Sequence, residues 1–428
     1  MNQTDSETPA TKTIFPNGLR VLTALMPHAR SVSVSIYVAA GSRYETQPES
    51  GVSHFIEHLC FKGTARRPNA QLISEAIDGV GGVLNAATDR EYTVYYAKVA
   101  RQHLALALDV LVDLVRTPIF DATELERERK VVLEELASVA DSPGQQVDLL
   151  IDELMWPEQP LGWDVGGSKE TVEGLTRDMT LGYLARQYVP QSTVVSVAGN
   201  VSHEEVADLV AETLGAGGGG SPGSWFPAVD GQTEARCAIL NRRSEQAHLA
   251  LSLRGVPLDH PDRYVMDLLS VLFGEGMSSR LFMELRERQG LCYDVHSYVS
   301  HFLDAGAFGV YAAVDPKNGR RALAGLIDQL AKLRDGVPEE ELTKAKELTK
   351  GRMLLRLEDT RAVSAWLGGQ EILAGSVRTP ELVVEMIDAI TTDDLRRVVN
   401  TLLVKSKLNL AVVGPYRSEE RFLALLDL

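Results

Sequence analysis

Apolar and polar residues alternate strictly along SVSVSIYVAAG, placing Val32, Val34, Ile36 and Val38 on one face, which predicts a half-buried strand. After it the apolar period lengthens to that of a helix. The pattern predicts helices over 51–62, about 70–79, 102–116 and 121–140, with a pair of strands at 83–88 and 91–99 between them. Two or three shorter helices, a strand at 193–199 and a last helix from Ser202 complete this half. Strands and helices mix without a regular βαβ alternation, so the pattern predicts an α+β fold rather than a doubly wound parallel sheet.

The same order of elements recurs further on. TVYYAKV (93–99) aligns with FGVYAAV (308–314), setting Tyr96 over Tyr311 and Val99 over Val314. VVSVAGNVSHEE (194–205) aligns with LNLAVVGPYRSEE (408–420), setting Gly199 over Gly414, and Asp178 falls over Asp393. All three matches share an offset of 215 residues, which predicts a duplicated domain. Between the copies runs LGAGGGGSPGSWFP (214–227), whose glycines and Pro222 suit neither a helix nor a central strand. The expected organisation is a disordered tail at 1–12, an N-terminal domain at 13–214, a Gly-rich linker at 215–231 and a C-terminal domain at 232–428.

Composition narrows the classes. The chain has 428 residues, 44% apolar and 24% charged, as in ordinary globular proteins. A net charge of −16 argues against a nucleic-acid partner, which needs a basic face; it fits a solvated surface first and a basic or cationic substrate second. Cys60, Cys237 and Cys292 are odd in number and far apart, which suggests a reducing compartment without a disulfide framework. The start, MNQTDSETPATK, lacks an apolar core and arginines, so neither a secretory signal nor a transit peptide is expected. No apolar run approaches the length of a membrane span. These features together predict a cytoplasmic protein with no membrane partner.

Residues 54–58 read His-Phe-Ile-Glu-His, and a helix places positions i and i+4 on one face, so His54 and His58 can reach a single ion. Glu57 lies on the same side without needing to be a ligand. Glu135, in ERERKVVLEEL, is a distant carboxylate able to complete the set, while Glu134 points about 100° away from it. Two imidazoles, one carboxylate and a vacant fourth position describe a catalytic zinc site, with Glu57 as a base for water bound there. A closed structural site would have four ligands and no need of the intervening Glu. The duplication supports this: the offset carries His54, Glu57, His58 and Glu135 onto Leu269, Leu272, Phe273 and Lys350, so the second copy lacks the metal chemistry. Glu128 precedes Glu135 by two helical turns, and its spacing fits either a carboxylate that orients a ligand or a solvated helix charge.

H-x-x-E-H with a distant Glu is the inverzincin pattern. With GVSHFIEHLCFKGTARRP, LNAATDREYTVYYAKV, ERERKVVLEEL and then GEGMSSRLFMELRERQGLCYDV in order, most of 13–420 resembles the pitrilysin-type (M16) zinc peptidases. It is similar in particular to the short-chain branch that includes the mitochondrial processing peptidase β subunit. The resemblance implies two αβ-roll domains of the LuxS/MPP-like metallohydrolase type, each a mixed sheet packed with helices. It implies one zinc ion per chain on His54, His58 and Glu135, with Glu57 as general base and Glu128 as the family's upstream glutamate. It matches Asn85 and Ala86 to the edge strand that pairs with extended peptide, and Arg286 and Tyr293 to the pair that contacts substrate from the opposite wall. The implied activity is a metalloendopeptidase acting on peptides or small unfolded polypeptides, either as a general oligopeptidase or in maturing one peptide. The alternative is a non-catalytic scaffold or partner subunit of the same fold. Some short-chain relatives divide the two motif sets between subunits; this chain holds both, so the resemblance implies a homodimer with composite active sites.

Overall fold

A computed structural model describes residues 10–215 and 220–428, which form two compact units. Most of the expected tail (1–9) and part of the expected linker (216–219) lie outside the described residues. The first unit comprises 1–136, 164–226 and 354–379; the second comprises 137–163, 227–353 and 380–428.

The first unit is built on a six-stranded mixed sheet of order β1-β2-β6-β3-β5-β4. Its strands are β1 (Thr11–Ile14), β2 (Arg20–Leu25), β3 (Ser31–Val38), β4 (Val83–Thr88), β5 (Thr93–Ala100) and β6 (Thr193–Gly199). β2 and β6 run parallel and the other pairs antiparallel, so β4 is an edge strand. Residues 11 and 12, assigned to the tail on sequence grounds, open β1: Thr11 pairs with Thr23, and Lys12 Nζ meets the buried Glu371 at 2.5 Å. The helices that follow are α1 (Val52–Cys60), α2 (Ala70–Asp78), α3 (Leu104–Arg116) and α4 (Ala122–Asp141). Then come α5 (Pro143–Met155), α6 (Lys169–Gly174), α7 (Arg177–Gln187) and α8 (His203–Val210). Val32, Val34, Ile36 and Val38 bury against α1, α3 and their neighbours in one continuous core.

The second unit repeats the plan. Its strands β7 (Arg236–Asn241), β8 (Ala247–Arg254), β9 (Cys292–His301), β10 (Gly306–Val314) and β11 (Asn409–Gly414) are ordered β7-β11-β8-β10-β9. That is the order β2-β6-β3-β5-β4 of the first sheet, with the parallel pair in the same place. Helices α9 (Arg263–Gly274), α10 (Gly319–Lys332), α11 (Glu339–Arg356), α12 (Thr360–Ala374), α13 (Pro380–Asp388), α14 (Thr392–Leu402) and α15 (Glu420–Leu423) follow the order of the first half. Leu269, Leu272 and Phe273 sit on α9 and are buried, so the scaffold fills the positions of the metal-site residues with core side chains. Lys350, at the place of Glu135, is instead paired with Asp388 and Glu347.

The compact units are not consecutive stretches of chain. α5 precedes the linker yet belongs to the second unit, packing on β8 and β11; α12 follows it yet belongs to the first, packing on β3 and β6. The boundaries 13–214 and 232–428 describe the repeat, whereas each unit also takes in a helix from the other half. This exchange explains a departure from the expected half-buried β3: both of its faces are buried. α12 covers the polar face through a hydroxyl seam, with Ser33 Oγ 2.9 Å from Thr360 Oγ1 and Ser35 Oγ 2.9 Å from Ser364 Oγ. Ser196 Oγ donates to Ser364 O at 2.7 Å. These buried hydroxyls satisfy one another, which is why serines can occupy a covered strand face. Linker residues 220–226 belong to the first unit, with the Arg43 guanidinium 4.5 Å from the Trp225 ring centroid, and 227–231 to the second. Among the described residues no helix is long and apolar enough to cross a membrane.

The seam admits α12 closely because Gly368 has no side chain. A Cβ there would collide with the Tyr37 ring and lie 3.1 Å from Ser196 Cβ. Gly368→Ala is therefore expected to lower unfolding free energy by about 1–3 kcal/mol, measured by urea denaturation, through overpacking.

Candidate metal and catalytic site

The site begins with α1. A nine-residue helix is too short to persist alone in water, so packing must hold it. Val52, Phe55, Ile56, Leu59 and Cys60 are buried, and each large apolar side chain contributes roughly 1.5–3 kcal/mol. Gly51 at the N-cap has φ 90°, and a Cβ there would stand 2.6 Å from Gly166 O, so glycine is required on both counts. The Glu45 carboxylate accepts from Gly51 N and Ser53 N, both at 2.8 Å, and closes the free N–H groups of the first turn. Ser53 Oγ donates to Tyr183 Oη on α7 at 2.8 Å. With that face committed, His54, Glu57 and His58 are left half-buried on the other.

α4 brings the third member. Leu125, Glu128 and Val132 are its buried side chains, and Glu135, two turns beyond Glu128, reaches the two histidines. His54 Nε2 and His58 Nε2 are 3.3 Å apart, and Glu135 Oε2 lies 3.8 and 3.5 Å from them. Two nitrogens each ~2.05 Å from one tetrahedral ion stand about 3.3 Å apart, so this spacing is that of ligands around zinc. Two imidazole nitrogens facing each other at this range also need a cation or proton between them. Burial, with His58 beside it, pushes the His54 imidazole down to about 4, so at neutral pH its lone pair is free for a metal. His54, His58 and Glu135 are the single group with metal-ligand spacing among the described residues.

Around these three, Glu128 resolves the alternatives its spacing left open. It is buried, and its Oε2 lies 3.2 Å from His58 Nδ1, so it orients the ring and fixes its tautomer. Its other oxygen meets Lys62 Nζ at 2.9 Å. His54 Nδ1 is buried and finds no partner among the described residues. Burial pushes the Glu57 carboxyl up, while a hydrogen bond from Thr88 and the nearby His58 pull it back. Asn85 and Ala86 lie on β4, paired with Tyr96 and Tyr95, and among the described residues the other edge of β4 has no strand neighbour.

In the second unit, the Arg286 guanidinium stacks between two rings, 4.7 Å from the Phe282 centroid and 4.7 Å from that of Tyr293. The Arg/Tyr pair is thus in contact, with Tyr293 exposed (75% accessible) and Arg286 half-buried. Sequence reading missed three residues that act on the site: Glu45, Lys62 and Thr88. Lys62 and Thr88 fall inside the motif-bearing segments, but nothing in their spacing says which carboxylate each contacts.

Comparison with known proteins gives the family. Residues 20–168 match the family model described as insulinase (peptidase family M16), and 174–349 match that of the M16 inactive domain. An uncharacterized zinc protease of Streptomyces coelicolor is 36% identical over 96% of this chain and 90% of its own length. One from Bacillus subtilis is 34% identical over 93% and 97%. Among solved structures, a protease from Helicobacter pylori superposes with a TM-score of 0.90 at 22% identity, over 95% of this chain and all of its own. A chain of complex III2 from Candida albicans does so at 0.84 and 20% identity, over 98% and 100%. These two likenesses concern the fold. Two family models in order, over an intact His-His-Glu donor set, show that this chain belongs to the M16 peptidase family.

Proposed function

We propose that the protein is a zinc-dependent endopeptidase that hydrolyses peptides or small unfolded polypeptides bound in extended form. The observation that carries this reading is the His54–His58–Glu135 donor set with Glu57 held beside it on the same helix face. The relatives named zinc proteases support the metal assignment. His54, His58 and Glu135 would hold one zinc ion per chain, which would supply Lewis-acid polarisation of a peptide carbonyl and a more acidic water at neutral pH. Glu57, deprotonated at the outset, takes the proton of the attacking water on a carboxylate oxygen and passes it to the departing amine. Glu128 keeps His58 in its ligating tautomer throughout. Peptide adds as a further strand along β4 at Asn85 and Ala86, so backbone hydrogen bonds hold it and little sequence is read. The acidic net charge favours basic peptides.

A non-catalytic scaffold of this fold is the competing reading, and the complex III likeness fits it at the level of fold. The intact donor set and the buried, ring-orienting Glu128 favour the enzyme. The chain carries both the metal motif and the Arg286/Tyr293 pair, which supports a homodimer in which each site joins the metal residues of one chain to the Arg/Tyr pair of its partner. Tyr293 is then the donor to the developing oxyanion.

Three outcomes test this reading. Purified protein is expected to hold one zinc per chain by mass spectrometry, and His58→Ala or Glu135→Ala to lose it, while Glu128→Gln weakens binding about 10–100-fold. Glu57→Gln is expected to keep zinc and lose peptide cleavage by about 10²–10⁴-fold; wild-type turnover in that variant refutes the mechanism. Glu57→Gln and Arg286→Ala chains, each inactive alone, are expected to regain activity when co-expressed, because one of the two composite sites is then whole. Absence of recovery in a verified mixed dimer places both motif sets of a site in one chain.

A further inference from the structure

Glu57 has a partner with no place yet in the reaction. Thr88 Oγ1 donates to Glu57 Oε2 at 2.5 Å. Thr88 is the last residue of β4, and the period of two along that strand turns Leu84, Ala86 and Thr88 inward while Val83, Asn85 and Ala87 are exposed. Across the hairpin Thr88 stands opposite Thr93, which is fully buried. Thr93 Oγ1 lies 3.4 Å from Thr88 Oγ1 and 3.1 Å from Ala40 O. A hydroxyl offers one proton, so Thr88 gives its own to Glu57, while Thr93 directs its single proton to Ala40 O and packs behind the Thr88 hydroxyl. Such cross-strand threonine pairs are a common way of fixing side chains on a sheet. The hydroxyl is therefore set by strand register and in turn sets the carboxylate.

We propose that Thr88 is a positioning residue for Glu57, and that it ties the orientation of the base to β4, the strand on which peptide docks. A glutamate side chain has three torsions to fix, and α1 fixes only where they begin. Thr88 fixes where they end. Because donor and docking edge belong to one strand, pairing of a peptide with β4 holds the same backbone that aims the base. This proposal rests on the metallopeptidase reading above, and the test separates the two.

Thr88→Val preserves shape and removes the donor, while Thr88→Ser keeps the donor and loses a methyl group. Both are compared with wild type for zinc content, thermal midpoint, kcat and KM on a quenched fluorescent peptide. Thr88→Val is expected to lose about tenfold to hundredfold in kcat with KM within about twofold and zinc retained, as a misaimed base would produce. Thr88→Ser is expected to stay within about threefold of wild-type kcat. Wild-type kcat in the valine variant, a loss confined to KM, a loss of zinc, or a serine variant as poor as the valine one each overturns the proposal. Zinc-loaded wild type that cleaves no peptide overturns the peptidase reading and this proposal together, whereas an active wild type with an indifferent valine variant overturns this proposal alone.

Discussion

The site depends on one short helix being buried on one side only. α1 is too short to persist by its own hydrogen bonds, so Phe55, Ile56, Leu59 and Cys60 hold it by packing. That burial turns His54, Glu57 and His58 together towards the opposite side. Any rotation of the helix would put an imidazole into the core or a leucine into the site. Glu45 and Gly51 set the start of the helix, and Ser53 on Tyr183 sets its roll. Arg129 on α4 lies 5.5 Å from the Phe55 ring centroid, so the helix carrying Glu128 and Glu135 also touches a core side chain of α1.

The duplicated unit shows what that packing does without the metal. Its sheet has the same strand order, and its α9 carries Leu269, Leu272 and Phe273 where the first copy has His54, Glu57 and His58. The fold therefore does not need the metal side chains. In the first copy they are polar groups held half-buried on a scaffold able to bury apolar ones, which is the usual cost of a preorganised site. The surrounding core holds them there.

Much of this was legible in the chain. The alternation in SVSVSIYV marked β3, the offset of 215 residues anticipated the repeated strand order, and the motif spacing singled out His54, His58 and Glu135, which the structure brings together. What escaped depends on contacts distant in sequence. The serines of β3 resembled a solvent face because nothing local reveals that α12 comes back to cover them. β1 escaped notice because four polar-rich residues carry little periodicity. Glu128 was ambiguous between solvent and site until its burial against His58 was visible. Thr88 and Lys62 could not be assigned, since their roles arise from strand pairing and from helix docking respectively.

The proposed activity requires two imidazoles and a carboxylate to hold one zinc ion with a position left open for chemistry. X-ray absorption at the zinc edge tests it most directly on the zinc-loaded protein. Two imidazoles and otherwise oxygen donors are expected, all at about 2.0–2.2 Å in a low-coordinate site. A sulfur shell near ~2.3 Å, which would recruit the buried Cys60, or a spectrum without imidazole would contradict it.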